Sequence, residues 1–227
     1  MLALTETDMT DRRFTPALGK GPTQLYDAAL RVFTRERVWR EAVIDRVAAT
    51  RPGTVLDVGC GTGTLAIAIA GLLPDTHVTG LDPDGEALAI AQRKGDKLGS
   101  GVTWRSGFAG DASSEGRAGT FDVVTCTLVL HQVPLADKAA GLKAMLSSLR
   151  IGGRLVLADY SEQRTKLMRT LFRLTVQRID GKADTQPNAD GVLPLLIAGA
   201  GFAGVTETQV IPTPSGAISV FTANRVA

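Results

Sequence analysis

The stretch that decides the fold is Val55-Leu-Asp-Val-Gly-Cys-Gly-Thr-Gly63. It continues a short apolar, β-branched run from Thr54 to Val58, which predicts a buried strand. Three glycines follow at alternate positions, Gly59, Gly61 and Gly63, and an apolar helical segment runs from Thr64 to Leu73. Because glycine accepts positive φ and lets a ligand approach the backbone closely, this strand–loop–helix unit predicts a ligand site at the carboxyl end of a parallel strand.

Strand-like and helical segments alternate around this unit. The predicted strands are 54–58, 77–81, 102–106, 121–130 and 154–159, with predicted helices at 64–73, 85–98 and 137–149. Apolar strands joined through helices indicate a parallel sheet covered on both faces. Segments 205–212 and 218–223 are joined by a short turn without a helix, so they must pair antiparallel. The sequence thus predicts an α/β, Rossmann-like, doubly wound and mostly parallel seven-stranded sheet with a C-terminal antiparallel hairpin.

Composition narrows the class of protein. The chain has 227 residues, is 44% hydrophobic and carries a net charge of +2. An interspersed charge pattern without a basic stripe disfavours a nucleic-acid partner. Cys60 and Cys126 lie far apart in apolar stretches, which fits neither a disulfide framework nor a metal site and suits the cytoplasm. We also expect no signal peptide and no integral membrane segment; the oligomeric state stays open.

The predicted organisation is one domain with two additions to the sheet. Residues 1–23 are predicted to be a flexible tail, and residues 24–227 a single domain that begins with a helical cap over 24–50. A second addition, 161–200, is predicted to be a lid over the acceptor site. It begins with an amphipathic helix whose Leu167, Leu171 and Leu174 are expected to face inward, and continues through a polar, flexible stretch from Asp180 to Asp190.

The acids around the loop indicate the ligand. A dinucleotide-binding loop of the form G-x-G-x-x-G would place its last glycine at position 64, where the chain has Thr64. Asp57 lies at the strand end and favours a cationic ligand. Asp82, nineteen residues after Gly63, is placed to accept hydrogen bonds from ribose hydroxyls. An adenosine ligand with a positive end and no pyrophosphate is therefore expected, and S-adenosylmethionine has these features.

The chain resembles the class I S-adenosylmethionine-dependent methyltransferases, of the type that acts on small molecules in ubiquinone and menaquinone biosynthesis. The matching motifs are D-x-G-x-G-x-G at Asp57–Gly63, the acid Asp82, Phe121-Asp-Val-Val-Thr-Cys-Thr127, Leu130-His-Gln132 and Leu149-Arg-Ile-Gly-Gly-Arg-Leu155. The resemblance implies methyl transfer to a small organic acceptor. It implies cofactor contacts at Tyr26, Asp57, Gly59, Cys60, Gly61, Gly63, Asp82, Pro83, Phe108, Ala109 and Thr127.

Several roles are predicted near the expected acceptor. His131, just after the fourth strand, is the candidate general base, and Asp159 faces the same rim and is a candidate for positioning the substrate. A purely structural role is the open alternative for both residues. Asp111 is a weaker candidate for an adenine contact than the Ala109 backbone. Two functional alternatives stay open, namely a protein that binds S-adenosylmethionine without transferring methyl groups and a nicotinamide-dependent oxidoreductase. No motif for holding a flipped base follows the fourth strand.

Overall fold

The computed structural model describes residues 34–114 and 116–226. Within these ranges the strands are β1 (Thr54–Val58), β2 (His77–Asp82), β3 (Thr103–Ser106), β4 (Phe121–Thr127), β5 (Leu149–Tyr160), β6 (Ala203–Thr213) and β7 (Gly216–Asn224). The α-helices are α1 (Glu36–Ala48), α2 (Thr64–Leu72), α3 (Gly85–Leu98), α4 (Leu135–Ser148), α5 (Lys166–Leu174), α6 (Val176–Ile179), α7 (Lys182–Ala189) and α8 (Leu193–Gly199). The predicted 1–23 tail, the first part of the cap and Tyr26 lie outside the described residues.

All seven strands form one sheet in the order β3-β2-β1-β4-β5-β7-β6. The pairs from β3 through β5 are parallel, and β7 pairs antiparallel with both β5 and β6. The predicted fold class is therefore confirmed. The strand order reverses direction between β1 and β4, and ligands of open α/β sheets bind at the carboxyl ends of the strands beside such a point.

Two apolar cores cover the two faces of the sheet, because alternate strand residues point to opposite sides. One core joins Leu56, Val124 and Leu155 to α4 and α8. The other joins the intervening strand residues to α1, α2 and α5, and it includes both Trp39 and Phe172. Burying a leucine-sized side chain contributes about 1.5–3 kcal/mol, so these two layers hold the strand ends in place.

Local sequence signals explain how the helix after β2 is bounded. The Asp84 carboxylate accepts hydrogen bonds from Glu86 N and Ala87 N, which caps the start of α3. Gly99 ends the helix with φ 61°, as its position in the sequence predicts. The cap leaves Asp82, two residues earlier, at the carboxyl end of its strand.

Several predicted boundaries were wrong by a few residues. The fifth strand begins at Leu149 rather than Arg154, because Gly152 adopts φ 80° and lets the chain turn while the pairing continues. The preceding helix begins at Leu135, two residues earlier than predicted. The fourth strand ends at Thr127, three residues short of Leu130, which lies in a 3₁₀ turn instead.

The segment after β5 differs most from expectation. The stretch predicted to be polar and flexible contains α7, whose Thr185 and Asn188 are completely buried. Burial with satisfied hydrogen bonds overrides a polar composition that favours a loop. In α5, the predicted inward positions Leu167 and Leu174 face solvent, and Phe172 packs inward against the Tyr160 ring at a centroid distance of 5.3 Å. Leu171 is half-buried.

Candidate functional site

The glycine loop after β1 has the backbone that its sequence predicts. Gly59, Gly61 and Gly63 have φ of 70°, 52° and 74°, a region that side chains disfavour. A Cβ at Gly59 would overlap the Val129 side chain, and one at Gly63 would overlap Trp104. A Cβ at Gly61 would meet nothing within 4 Å. The first and last glycines are thus required by packing, whereas the space above Gly61 is open to a ligand.

The end of β2 lies directly beside this loop. Asp82 Oδ2 accepts a 2.7 Å hydrogen bond from Gly61 N, and its Oδ1 accepts one of 2.9 Å from Asp84 N. The Asp82 main-chain oxygen accepts a hydrogen bond from Gly107 N, which draws in the loop after β3. Burial raises the pKa of Asp82, although the two backbone hydrogen bonds oppose the shift. The two predicted cofactor motifs therefore share one site.

A cavity of about 180 Å³ opens between α1 and the carboxyl ends of β1 and β4. Its lining comprises Thr34, Glu36, Trp39, Arg40, Asp57, Gly59, Cys60, Thr62, Thr64, Leu65, Thr127 and Leu128. Binding sites for whole drug-sized ligands are larger, about 300–1,000 Å³, so this cavity matches one end of such a ligand. The open surface above Gly61, toward Asp82, is available to the rest of the ligand.

Three buried polar atoms of the cavity-lining residues have no hydrogen-bond partner in the described part of the chain. They are Asp57 Oδ2, Arg40 Nε and Trp39 Nε1. Buried polar atoms are nearly always paired, so unpaired ones at one cavity indicate a missing ligand. The set contains one anionic acceptor, one cationic donor and one neutral donor. That combination suits a zwitterion, such as an amino acid with its ammonium and carboxylate groups.

Asp57 is held in place by the strand beside it. It pairs with Thr125 across β1 and β4, and Thr125 Oγ1 donates a 2.7 Å hydrogen bond to Asp57 Oδ1. Burial raises the pKa of Asp57 to about 7 against the effect of that hydrogen bond; Asp82 raises it further and Arg40 lowers it. A cation bound at Oδ2 would stabilise the carboxylate and lower this pKa again.

The turn after β4 is held by a buried carboxylate. Leu128 has φ 53°, an uncommon value for a residue with a branched side chain. Asp159 Oδ2 accepts hydrogen bonds from the backbone N–H groups of Val129, Leu130 and His131, and its Oδ1 accepts from Tyr160 N. The prediction that Asp159 positions a substrate was wrong, because this carboxylate is fully buried and used by the turn itself.

His131 lies in a buried cluster of charged groups. Its Nδ1 is 2.7 Å from Asp159 Oδ1, and its Nε2 is 3.5 Å from Asp180 Oδ2. Burial alone would lower the pKa of His131, but the two carboxylates outweigh it and raise the pKa to about 9. His131 is therefore a cation at neutral pH, and it is not among the lining residues given above for the cavity.

Lys138 on α4 connects this turn to the segment after β5. Its buried ammonium donates to Leu130 O, to Asp184 O at 2.8 Å and to Asn188 Oδ1 at 2.9 Å. Asn188 in turn donates to Tyr160 O. Burial lowers the pKa of Lys138 to about 8, with Asp159 and Asp184 opposing the shift. This ammonium links α4, α7 and the turn after β4 into one unit.

The predicted adenine end is only partly assembled in the described residues. Pro83 is half-buried beside Asp82, Phe108 is exposed and Ala109 packs near Gly141 of α4. Asp111 Oδ2 accepts a hydrogen bond from Phe108 N, so this carboxylate shapes its own turn. Both cysteines are buried, and Cys60 also lines the cavity.

Sequence reasoning missed four residues of this region. Arg40 and Trp39 lie on α1, and only the packing of α1 against the sheet shows that they line the cavity. Leu128 owes its strained backbone to the Asp159 contacts, which are remote in sequence. Lys138 resembles any other surface lysine of an amphipathic helix until the structure shows it buried.

Comparison with known proteins agrees with this geometry. A family model described as a methyltransferase domain matches residues 56–155. The demethylmenaquinone methyltransferase of Deinococcus radiodurans is 32% identical over 161 residues, which cover 68% of this chain and 63% of that protein. The chain is similar to the class I methyltransferases over this region. A ubiquinone biosynthesis O-methyltransferase of Aromatoleum aromaticum is 36% identical over 111 residues, covering 49% of this chain and 45% of that enzyme.

Solved structures show the same fold. Magnesium protoporphyrin IX methyltransferase from Synechocystis PCC 6803, with bound S-adenosylhomocysteine, superposes with a TM-score of 0.68 at 23% identity and covers 91% of this chain and 90% of that one. This chain spans less than two thirds of the length of the first curated relative, since the alignment covers 63% of the Deinococcus protein.

The residues of this chain fit S-adenosylmethionine, the cofactor of the similar methyltransferases. Unpaired Asp57 Oδ2 and Arg40 Nε suit the ammonium and carboxylate of its methionine end. The open space at Gly61 and the carboxylate of Asp82 suit its ribose. The cofactor of the similar proteins therefore has the charged and polar groups that the donors and acceptors of this cavity can bind.

Proposed function

We propose that this chain transfers the methyl group of S-adenosylmethionine to a small organic acceptor. The observation that carries the proposal is the set of unpaired buried atoms around one cavity at the switch point of the sheet. A nicotinamide dinucleotide would place a pyrophosphate near buried Asp57, where two like charges repel. A zwitterionic amino-acid end is attracted to the same groups.

Within this proposal the residues hold and align the reactants. Asp57 accepts from the ammonium group, Arg40 and Trp39 donate to the carboxylate, and Asp82 accepts from the ribose hydroxyls. Gly59, Cys60, Gly63 and Thr127 shape the walls, and Pro83, Phe108 and Ala109 border the adenine. When bound, S-adenosylmethionine supplies a methyl group on a good leaving group. The protein then contributes mainly alignment and exclusion of water.

His131 fits a positioning role better than a proton-transfer role. Both its ring nitrogens face carboxylates, and the imidazolium loses its proton only near pH 9. A general base works best with a pKa near the operating pH and within reach of the acceptor. His131 and Asp159 together hold the turn that presents Thr127 and Leu128 to the cavity.

The acceptor class follows from the relatives. The Deinococcus and Aromatoleum proteins are named for menaquinone and ubiquinone biosynthesis, so an aromatic, quinone-like ring is the first acceptor class to test. The segment 161–200 is proposed to form one wall of the acceptor site, although as packed helices rather than a flexible lid. We further propose that the protein acts in the cytoplasm, and that its partner is a small-molecule acceptor rather than a nucleic acid.

Gly61→Val tests the proposed site, with Gly99→Val as its matched control. Both glycines have positive φ and open space around them, so the backbone strain is similar. Only Gly61→Val should abolish the calorimetric titration with S-adenosylhomocysteine, because only its side chain enters the ligand space. Equal binding by the two variants would make the loop a simple turn and remove the site.

Methyl transfer itself needs a second measurement. Wild-type protein is incubated with methyl-labelled S-adenosylmethionine and a panel of hydroxylated quinones and phenols, and labelled product and S-adenosylhomocysteine are quantified. Product formation that disappears in Gly61→Val supports the proposal. Cofactor binding without product on any acceptor favours a binding protein, whereas binding of NAD but not S-adenosylhomocysteine favours an oxidoreductase.

A further inference from the structure

Helix α5 has two of its leucines directed away from the protein. An α-helix turns by about 100° per residue, so Leu167 and Leu174 share one side and Phe172 lies on the opposite side. Phe172 is the buried member, packed against Tyr160. Leu167 and Leu174 are 68% and 54% exposed, and Ile179 of the next helix is 64% exposed. Most surface helices bury their leucines, so this orientation requires an explanation.

Basic side chains border the exposed leucines. Residues 166–182 contain Lys166, Arg169, Arg173, Arg178 and Lys182, all exposed, and a single acid, Asp180, which faces His131. Arg169 also forms an ion pair of 3.2 Å with Asp190, so Lys166 and Arg173 are the main cations of this flank. Lys166, Arg169 and Arg173 follow one another along the same flank of α5, because they are three and four residues apart. The segment therefore carries a net charge of +4, whereas the whole chain carries +2.

We infer that the face formed by Leu167 and Leu174 with its basic flank is a docking surface for an anionic lipid bilayer. Helices that lie in the membrane interface have this combination of an apolar stripe and a row of lysines and arginines. The leucines would enter the boundary between headgroups and acyl chains, and the basic residues would face the phosphates. We refer to this surface as the leucine face.

Other occupants explain fewer of the observations. A second copy would bring two basic flanks of the same charge together, which opposes association. A nucleic acid would use the basic row but leave the leucines in water. In the described residues, no helix has both the length and the apolar character needed to cross a bilayer. Helices with an apolar stripe and a basic flank lie in the plane of the membrane interface, so the proposed contact is with that surface.

The leucine face also lies on the same side of the sheet as the proposed site. Phe172 beneath it belongs to the apolar core that contains Trp39, and Trp39 lines the cavity. Docking through α5 would thus bring the cavity side of the protein toward the bilayer. The inference does not depend on the proposed function, because lipid binding is measured without cofactor or acceptor.

The test is sedimentation of the full chain with vesicles. Wild-type protein should sediment with vesicles of phosphatidylcholine and phosphatidylglycerol, much less with phosphatidylcholine alone, and less as KCl rises. The double variant Leu167→Ser, Leu174→Ser should weaken the partition coefficient by about tenfold or more. Lys166→Glu with Arg173→Glu should weaken binding to the anionic vesicles by about tenfold.

Leu98→Ser is the matched control, since Leu98 is also 68% exposed but ends α3 on another part of the surface. It should bind vesicles as the wild type does. All variants should unfold at nearly the same temperature as the wild type, because each substituted side chain is exposed. Absence of binding to anionic vesicles at low salt overturns the inference. An equal loss in Leu98→Ser overturns it too, because the effect would then not belong to this face.

A fluorescent reporter separates the remaining occupants. Leu174→Cys introduces an accessible thiol, because Cys60 and Cys126 are buried, and it is labelled with an environment-sensitive dye. A blue shift that appears only with anionic vesicles supports docking on lipid. A blue shift without vesicles overturns it: one that grows with protein concentration shows a second copy on the leucine face, and one independent of concentration shows another part of this chain.

Discussion

The glycine loop after β1 and the buried cluster where the turn after β4 meets α4 and α7 differ in how their buried polar groups are paired. Around the loop, Asp57, Arg40 and Trp39 keep buried atoms without partners. In the second region, the buried polar groups of Lys138, Asn188 and His131 have hydrogen-bond partners. Unmatched atoms indicate recognition of a ligand, whereas matched ones hold the structure together.

Asp82→Ala should have the largest effect on ligand binding. Two hydrogen bonds from a ligand to a charged acceptor are lost at about 1.5–3 kcal/mol each, which gives about 3–6 kcal/mol in the affinity for S-adenosylhomocysteine. Isothermal titration calorimetry measures the change. Asp84→Ala is the control, because Asp84 only caps α3; it should cost about 1 kcal/mol of stability and leave affinity unchanged. An unchanged dissociation constant in Asp82→Ala would remove this acid from the site.

Lys138→Met should be the largest disturbance of the second region. Removing the buried ammonium leaves oxygen atoms of Leu130, Asp184 and Asn188 unpaired, which should lower the free energy of unfolding by about 3 kcal/mol. Urea denaturation measures this. Lys143→Met on the exposed side of the same helix should change it by less than about 0.5 kcal/mol. Equal stability of the two variants would show that the buried cluster is not a structural link.

Asp57→Asn should separate stability from binding. Burial holds the pKa of Asp57 at about 7, above the ordinary carboxyl value, so the folded state binds the extra proton between about pH 4 and pH 7. The free energy of unfolding of the wild type therefore falls as pH rises through that range. The neutral variant should be more stable by about 1–2 kcal/mol at pH 8 and should bind S-adenosylhomocysteine more weakly.

The check is urea denaturation at pH 4 and pH 8 for both proteins, with calorimetry at pH 8. The stability difference should be near zero at pH 4 and appear as the wild-type carboxyl ionises. A variant that is less stable at pH 8, or one that binds the ligand as tightly as the wild type, would contradict the proposed use of the unpaired Asp57 oxygen.

Arg40→Met should have the smallest effect. It keeps the aliphatic stem but loses the donor proposed for the ligand carboxylate, and it should weaken binding of S-adenosylhomocysteine by about 1 kcal/mol, roughly fivefold. Arg37→Met on the same helix is the control, because Arg37 only forms an exposed ion pair with Glu41. Similar affinities of the two variants would place the carboxylate elsewhere.

Residues adjacent in sequence determined most of the fold, together with the glycine loop and the acid Asp82 of the proposed cofactor site. The run from Thr54 to Val58, the three glycines and the acid Asp82 carry their own geometry, because strand period, positive φ and strand ends are local properties. The absence of a helix between the last two strands likewise determined their antiparallel pairing. These signals predicted the sheet and its hairpin, and they placed the glycine loop and Asp82 at the carboxyl ends of neighbouring strands.

Only the tertiary structure decided the rest, because it depends on contacts between distant residues. Asp159 serves the turn after β4, and Lys138 is buried beneath α7, since each finds its partners up to 50 positions away. The outward direction of Leu167 and Leu174 was equally hidden: an amphipathic pattern gives the two faces of a helix but not which of them meets the protein. Packing of Phe172 on Tyr160 made that choice.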